Sequence, residues 1–212
     1  MKVELLDIFG DDNTVVDVAR VSYNKLAENY TEEANVKLLK YLAEHKHSSP
    51  FRHPQLRFRI ECPIYVERQL AKHQVGVSIN SISGRYVDFS DTYTPINEWR
   101  KQSKSSKQGS EGLVENQENC QLIEARVLEV CKNAYKELLE LGVSKEQART
   151  VLSLNLNTTF IWTGSLLAFI HLCQLRLKQD AQKETRDVVG DMLNQVVETG
   201  KFRQSLTVYN IQ

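Results

Sequence analysis

The chain lacks most of the features that would settle its chemistry at a glance. Its four cysteines (Cys62, Cys120, Cys131, Cys173) are scattered and form no C-x-x-C pair. That argues against a disulfide framework and against a thiolate metal site, and reduced cysteines in a cytoplasmic protein are the expectation. No charge of one sign dominates: Lys+Arg and Asp+Glu are both 27, so the formal net charge is zero. Nothing global therefore favours nucleic acid or an anionic membrane, and any basic surface must be local. Long apolar runs are missing too. The stretch from Phe160 to Leu172 is broken by Thr163, Gly164, Ser165 and His171 and is too short to span a bilayer. The opening residues, "MKVELLDIFGDD", carry acids where a signal peptide needs its apolar run. There is no G-x-G-x-x-G after a strand, no Walker loop, no G-x-S-x-G and no H-E-x-x-H. No nucleophile can be argued from spacing.

What is present is a chain of 212 residues, 41% hydrophobic and 25% charged, the composition of an ordinary globular domain. "KVELLDIFG" has the pattern of a strand, and "DDNTVVDVARVSYN" that of a capped helix. Thr31 can cap "TEEANVKLLKYLAEH". "PQLRFRIEC" alternates, with Leu56, Phe58 and Ile60 on one face and Arg57, Arg59 and Glu61 on the other, which predicts a half-buried strand. Pro63 suits the first turn of a helix over "PIYVERQLAKH", and "YVDFSDTYTP" is expected to be extended. Residues 101–112, "KQSKSSKQGSEG", form the one low-complexity run, expected to be a mobile surface loop. A long helix is predicted over about Glu115 to Leu141, with a capping box at Ser144 and Gln147 for the next. "LNLNTTFIWT" alternates like a strand, and helices follow over "GSLLAFIHLCQLRL" and "DAQKETRDVVGDMLNQVVE". No internal repeat is visible. The expected class is α+β: a single domain, residues 1–212, with a mixed or antiparallel central sheet flanked by helices.

Chemistry-bearing residues gather in three places. In "KHQVGVSINSISGRY", Lys72 and His73 follow Arg68, and like charges four apart on a helix repel unless something negative lies between them. A solvated basic face and a phosphate site are both open on that helix alone. "HKHSSPFRH" adds His45, His47, Arg52 and His53, so four of the five histidines fall between positions 45 and 73. With no partner at zinc spacing, an anionic ligand suits this cluster better than a metal. Arg176 ends an apolar helical stripe of Phe169, Leu172 and Cys173. A cation there needs a partner, because burying it unpaired costs several kcal/mol. An ion pair with Asp180 or Glu184 is one answer. A substrate whose planar polar edge meets the guanidinium fork is the other.

The ordered motifs resemble those of the flavin-dependent thymidylate synthases, over about His45 to Gln182. That family's R-H-R, seven residues, then Ser appears as Lys72-His73-Gln74, eight residues, then Ser83, continuing "SGRY". "HSSPFRH" resembles its H-x-[TS]-P-F-x-H segment, "CPIYVERQLAKH" its P-[IV]-[FY]-V-x-R-Q segment, and "ARTVLSLNLNTTFIWTGSLLAFIHLCQLR" the stretch ending at its essential Arg. "DAQKE" matches the A-Q-x-E that follows. The resemblance implies the family's own fold and the conversion of dUMP to dTMP. The implied carbon donor is methylenetetrahydrofolate, the reductant NADPH and the hydride carrier FAD. It also implies a homotetramer whose active sites join residues of several subunits, with no cysteine nucleophile and no metal. Carried over by position, Arg176 would face the uracil edge as the catalytic residue. Gln69, Lys72, Ser83, Gly84, Arg85 and Arg149 would bind dUMP, and His47, Ser49, His73, Gln74, Asn80, Ser165 and His171 would lie at FAD. A non-catalytic nucleotide- or flavin-binding homologue is the alternative. An RNA uracil methylase is disfavoured by the zero net charge.

Overall fold

A computed structural model of the chain describes residues 1–88, 91–105 and 109–211. Strand β1 (Lys2–Phe9) leads into α1 (Asp12–Arg20), where Asp11 and Thr14 close a capping box. Thr31 caps α2 (Glu32–Glu44) as its position predicts, accepting from the Ala34 N–H at 3.3 Å. Strand β2 (Gln55–Pro63), helix α3 (Ile64–Leu70) and strand β3 (Val77–Ser81) follow. A small hairpin, β4 (Arg100–Gln102) and β5 (Ser110–Leu113), precedes the long helix α4 (Gln117–Glu140) and the short α5 (Lys145–Ala148). The chain ends with β6 (Asn157–Ser165), α6 (Leu166–Arg176), α7 (Lys183–Glu198) and α8 (Arg203–Val208).

The class is α+β, with one four-stranded sheet in the order β1-β2-β6-β3, antiparallel throughout. Alternation in β2 acts as its spacing predicts: Leu56, Phe58 and Ile60 are fully buried while Arg57 and Arg59 are exposed. Opposite them on β6, Phe160 and Trp162 share the buried face, and α6 lies over it. The rings of Phe58, Trp162 and Phe169 meet with centroids 6.0 to 6.5 Å apart. Each buried side chain of this size contributes about 1.5–3 kcal/mol. This layer therefore holds α6 rigidly on the sheet and fixes where its last residue, Arg176, can reach. The other sheet face shows Arg57, Arg59, Ser78 and Asn80 outward. Among the described residues, no helix is long and apolar enough to cross a membrane.

Several expectations differ from the structure. The helix predicted to run to His73 stops at Leu70; the N–H groups of Ala71, Lys72 and His73 bond back to Glu67, Gln69 and Leu70 and tighten into a turn. Arg68 and Lys72 therefore do not share a helix face. "VSINS", to which no element was assigned from the sequence, is an edge strand. The Ser144–Gln147 capping box is absent: the Ser144 side chain makes no cap bond, and its carbonyl accepts from Gln147 and Ala148 instead. Residues 101–112, expected to be a mobile loop, supply most of the β4–β5 hairpin, whose pairs are Arg100↔Leu113, Lys101↔Glu111 and Gln102↔Ser110. Residues 106–108 lie outside the described residues. Within "YVDFSDTYTP", residues 89–90 also lie outside them, and Tyr93 forms an isolated bridge with Leu156.

Gly164 shows how tightly the aromatic layer is packed. A Cβ there would sit 2.5 Å from Trp162 Cη2 and 2.9 Å from Cζ2. Gly164→Ala should destabilise the fold by about 1–3 kcal/mol, the usual cost of overpacking, seen as a lowered midpoint in urea or thermal unfolding. An unchanged midpoint would contradict this packing.

Candidate active site

Helix α6 starts on Ser165, whose Oγ accepts from the Ala168 N–H at 3.2 Å, and ends on Arg176, where a cation suits the C-terminal dipole. Arg176 Nε donates to His73 Nε2 at 2.9 Å, and Nη2 donates to the Gln69 carbonyl at 3.2 Å. Neither carboxylate considered from the sequence is its partner, since Glu184 faces Arg100 at 2.6 Å and no ion pair to Arg176 exists among the described residues. To accept from a guanidinium, His73 Nε2 must be bare, so the ring is neutral with its proton on Nδ1. Burial, then the charges of Arg176 and His171, hold the His73 pKa below the ordinary imidazole value, in agreement with that tautomer. Arg176 is thus anchored by two neutral acceptors. It keeps its full charge and three of its five N–H donors for something else.

Behind Arg176 runs a polar network. Gln69 Nε2 donates to Gln182 Oε1, and Gln69 Oε1 accepts from Thr185 Oγ1 at 3.1 Å. Gln182 Nε2 donates to Glu184 Oε2 at 3.0 Å, and the other Glu184 oxygen takes the Arg100 guanidinium. Burial would raise the Glu184 pKa, but bonds from Arg100, its own amide and Gln182 outweigh that and lower it.

Beside this cluster lies a cavity of about 480 Å³, lined among others by Arg52, Gln55, Gly76, Ser78, Thr163 and His171. Gly76 has φ +73°, and a Cβ on it would meet Ser165 Oγ at 2.9 Å, so only glycine lets this turn sit on the start of α6. A larger cavity of about 830 Å³ lies between α1, α2 and residues 199–204, away from Arg176. None of Arg176, His73 and Gln69 lines it, and three of its carboxylates are engaged in the fold. Asp11 caps α1, Asp12 takes the N–H groups of Gln204 and Ser205, and Asp17 that of Ala27.

The structure brings together Arg176, His73 and Gln69, with Ser165 and His171 at the adjoining cavity. The remaining predicted residues stand apart within one chain. Lys72 and Gln74 are exposed on the turn after α3, and Asn80 is exposed on the edge strand. Ser83 Oγ accepts from the Arg85 N–H at 3.3 Å, Gly84 is buried, and Arg85 lies 5.4 Å from the Tyr86 ring. His47 stacks on Tyr41 at 5.8 Å, and Ser49 opens the short turn Pro50–Arg52. Arg149 is exposed, its Nε donating to the Glu146 carbonyl at 3.3 Å. Sequence reasoning assigned no role to Gln182, Thr185 or Arg100 and offered Glu184 only as an ion-pair partner of Arg176, although "DAQKE" contains both Gln182 and Glu184. Burial pushes the Cys62 and Cys173 thiols up to about 12, so neither is a nucleophile.

The thymidylate synthase complementing protein family matches residues 4–199. The chain belongs to that family. It is similar to the flavin-dependent thymidylate synthase of Thermus thermophilus, 41% identical over 184 residues, covering 87% of this chain and 67% of the relative. The enzyme of the same name from Kosmotoga olearia is 40% identical over 185 residues, covering 86% of this chain and 79% of its own length. Among solved structures, the UMP/dUMP methylase PolB from Streptomyces cacaoi, bound with 5-Br dUMP, superposes with a TM-score of 0.85 at 26% identity. That match covers 99% of this chain and 94% of PolB.

The neutral His73 has a consequence for stability. Unfolded, an imidazole takes a proton below about pH 6.5; folded, His73 resists it. The unfolded chain then binds more protons just below that value, so this contribution is lost as pH falls through the window. The difference in melting temperature between the native chain and His73→Gln should shrink from about pH 7 to about pH 5.5. A pH-independent difference would show that His73 is not held neutral.

Proposed function

We propose that the chain methylates dUMP to dTMP as a cytoplasmic flavoenzyme, with methylenetetrahydrofolate as carbon donor, FAD as hydride carrier and NADPH as reductant. The observation that carries this reading is Arg176: a half-buried cation with neutral anchors and spare donors, at the end of a rigid helix. Facing the uracil edge, it stabilises the negative charge that grows as N3 loses its proton, most strongly where water is excluded. Gln69 works through its carbonyl, since its side chain is occupied by Gln182 and Thr185. Lys72, Ser83, Gly84, Arg85 and Arg149 surround the nucleotide phosphate and sugar.

The cavity lining suits a flavin dinucleotide. Arg52 and His171 offer cationic or donor groups to phosphate, and Ser78 and Thr163 offer hydroxyls. His47, Ser49, His73, Gln74, Asn80, Ser165 and His171 are the residues that would hold FAD, which when bound supplies the hydride completing the methyl group. Several of them lie apart within one chain, and a homotetramer unites them. Two features support assembly: the open sheet face, and the exposed Ile123, Val127 and Val130 on α4.

Purified protein loaded with FAD should consume NADPH only when dUMP and methylenetetrahydrofolate are present, and should release dTMP. UMP is the control nucleotide, because PolB has also been crystallised with 5-Br UMP. Arg176→Ala should lower dTMP formation by roughly 100-fold or more while keeping the flavin absorbance. Full turnover in that variant would refute the role of Arg176. A protein that binds dUMP yet never oxidises NADPH would be a non-catalytic homologue.

A further inference from the structure

The network behind Arg176 has a direction, and its source is Glu184. An ionised carboxylate only accepts hydrogen bonds, whereas an amide accepts on one side and donates on the other. With Glu184 Oε2 at one end, Gln182 must turn its Nε2 toward it, at 3.0 Å, and present its Oε1 to Gln69. Gln69 must then offer its Nε2 to Gln182 and its Oε1 to the Thr185 hydroxyl. Both rotamer and amide orientation of Gln69 are thereby set, in the last turn of α3, on the residue whose carbonyl holds Arg176 Nη2. The carboxylate is fixed in turn. Arg100 meets it at 2.6 Å, the two side chains being only 18% and 15% exposed, and Arg100 is itself held by Ser110 Oγ at 2.9 Å and the Glu98 carbonyl at 3.2 Å.

We infer that Glu184 is a positioning residue for Arg176, acting through Gln182 and Gln69, with Arg100 as the counter-ion that anchors it from the β4–β5 hairpin. The inference rests on the proposed dUMP chemistry for its catalytic meaning and on geometry alone for the connection. Removing the acceptor-only end lets both amides flip, and the Gln69 turn then no longer presents its carbonyl to one guanidinium position. Because the polarity matters, the isosteric Glu184→Gln should behave like Glu184→Leu.

Three measurements on the full-length, FAD-loaded protein test this. The titration of His73, followed by imidazole NMR without nucleotide, should move toward the ordinary imidazole value in both Glu184 variants, as Arg176 is less firmly held against it. The kcat/KM for dUMP should fall about tenfold in both, with flavin content unchanged and both variants still folded, although each melts lower because Arg100 loses its counter-ion. In a Gln69→Leu background, Glu184→Gln should change neither reading further, because the link is already cut. An unmoved His73 titration, or losses that simply add in the double variant, would overturn the inference. Native protein that makes no dTMP would sink the proposed function instead, and the His73 titration would still decide the connection.

Discussion

Arg176 holds its position through acceptors that carry no charge, the bare Nε2 of His73 and the carbonyl of Gln69. A carboxylate in either place would neutralise the guanidinium and leave little for a ligand. Breaking such a buried pair would also cost several kcal/mol. Neutral acceptors satisfy the geometry without cancelling the charge. The condition is that His73 stay unprotonated, and burial, then the charges of Arg176 and His171, favour it by lowering the imidazole pKa. Cation and imidazole therefore define each other's state.

The fold serves this arrangement by bringing two helix ends together. Arg176 closes α6 and Gln69 lies in the last turn of α3, with His73 on the turn that follows. Both helices rest on β2 and β6, whose buried Phe58, Phe160 and Trp162 leave no freedom for either to slide. Carboxylates are not absent nearby but diverted. Glu184 is drawn to Arg100, away from Arg176, so the same network that orients Gln69 keeps the negative charge off the site. Hydrophobic burial thus sets the positions, and the polar network sets the sign of the field.

Most of the scaffold was legible because its patterns are local. Strict alternation marked β2, a Thr cap marked α2, and apolar spacing marked α6 and α7. The failures have physical causes. In "VSINS" only Val77 and Ile79 face the core, and an edge strand with a polar outer side looks like loop. The α3 helix was overextended because "LAKH" has helical propensity, while the turn back to Glu67, Gln69 and Leu70 is imposed by packing. Arg176 was legible as a cation needing a partner, but the partner was not. A neutral imidazole 103 residues away leaves no trace in spacing. Arg100, 84 residues before Glu184, escaped for the same reason.

The departures from the R-H-R motif can be weighed by where their side chains point. Because α3 ends at Leu70, residues 72 to 74 lie on a turn, where neighbours face different ways. Lys72 and Gln74 are exposed within the chain, and only the half-buried His73 is tied to Arg176. Exchange of an exposed Arg for Lys keeps a charge and loses a fork, and exchange for Gln keeps a donor and loses a charge. Either alters what an outward ligand meets, and neither disturbs the Arg176 anchor. The central histidine has no such latitude. It must be small enough to lie against α6, and it must offer a neutral sp² nitrogen at 2.9 Å from the guanidinium, which neither Lys nor Arg could provide.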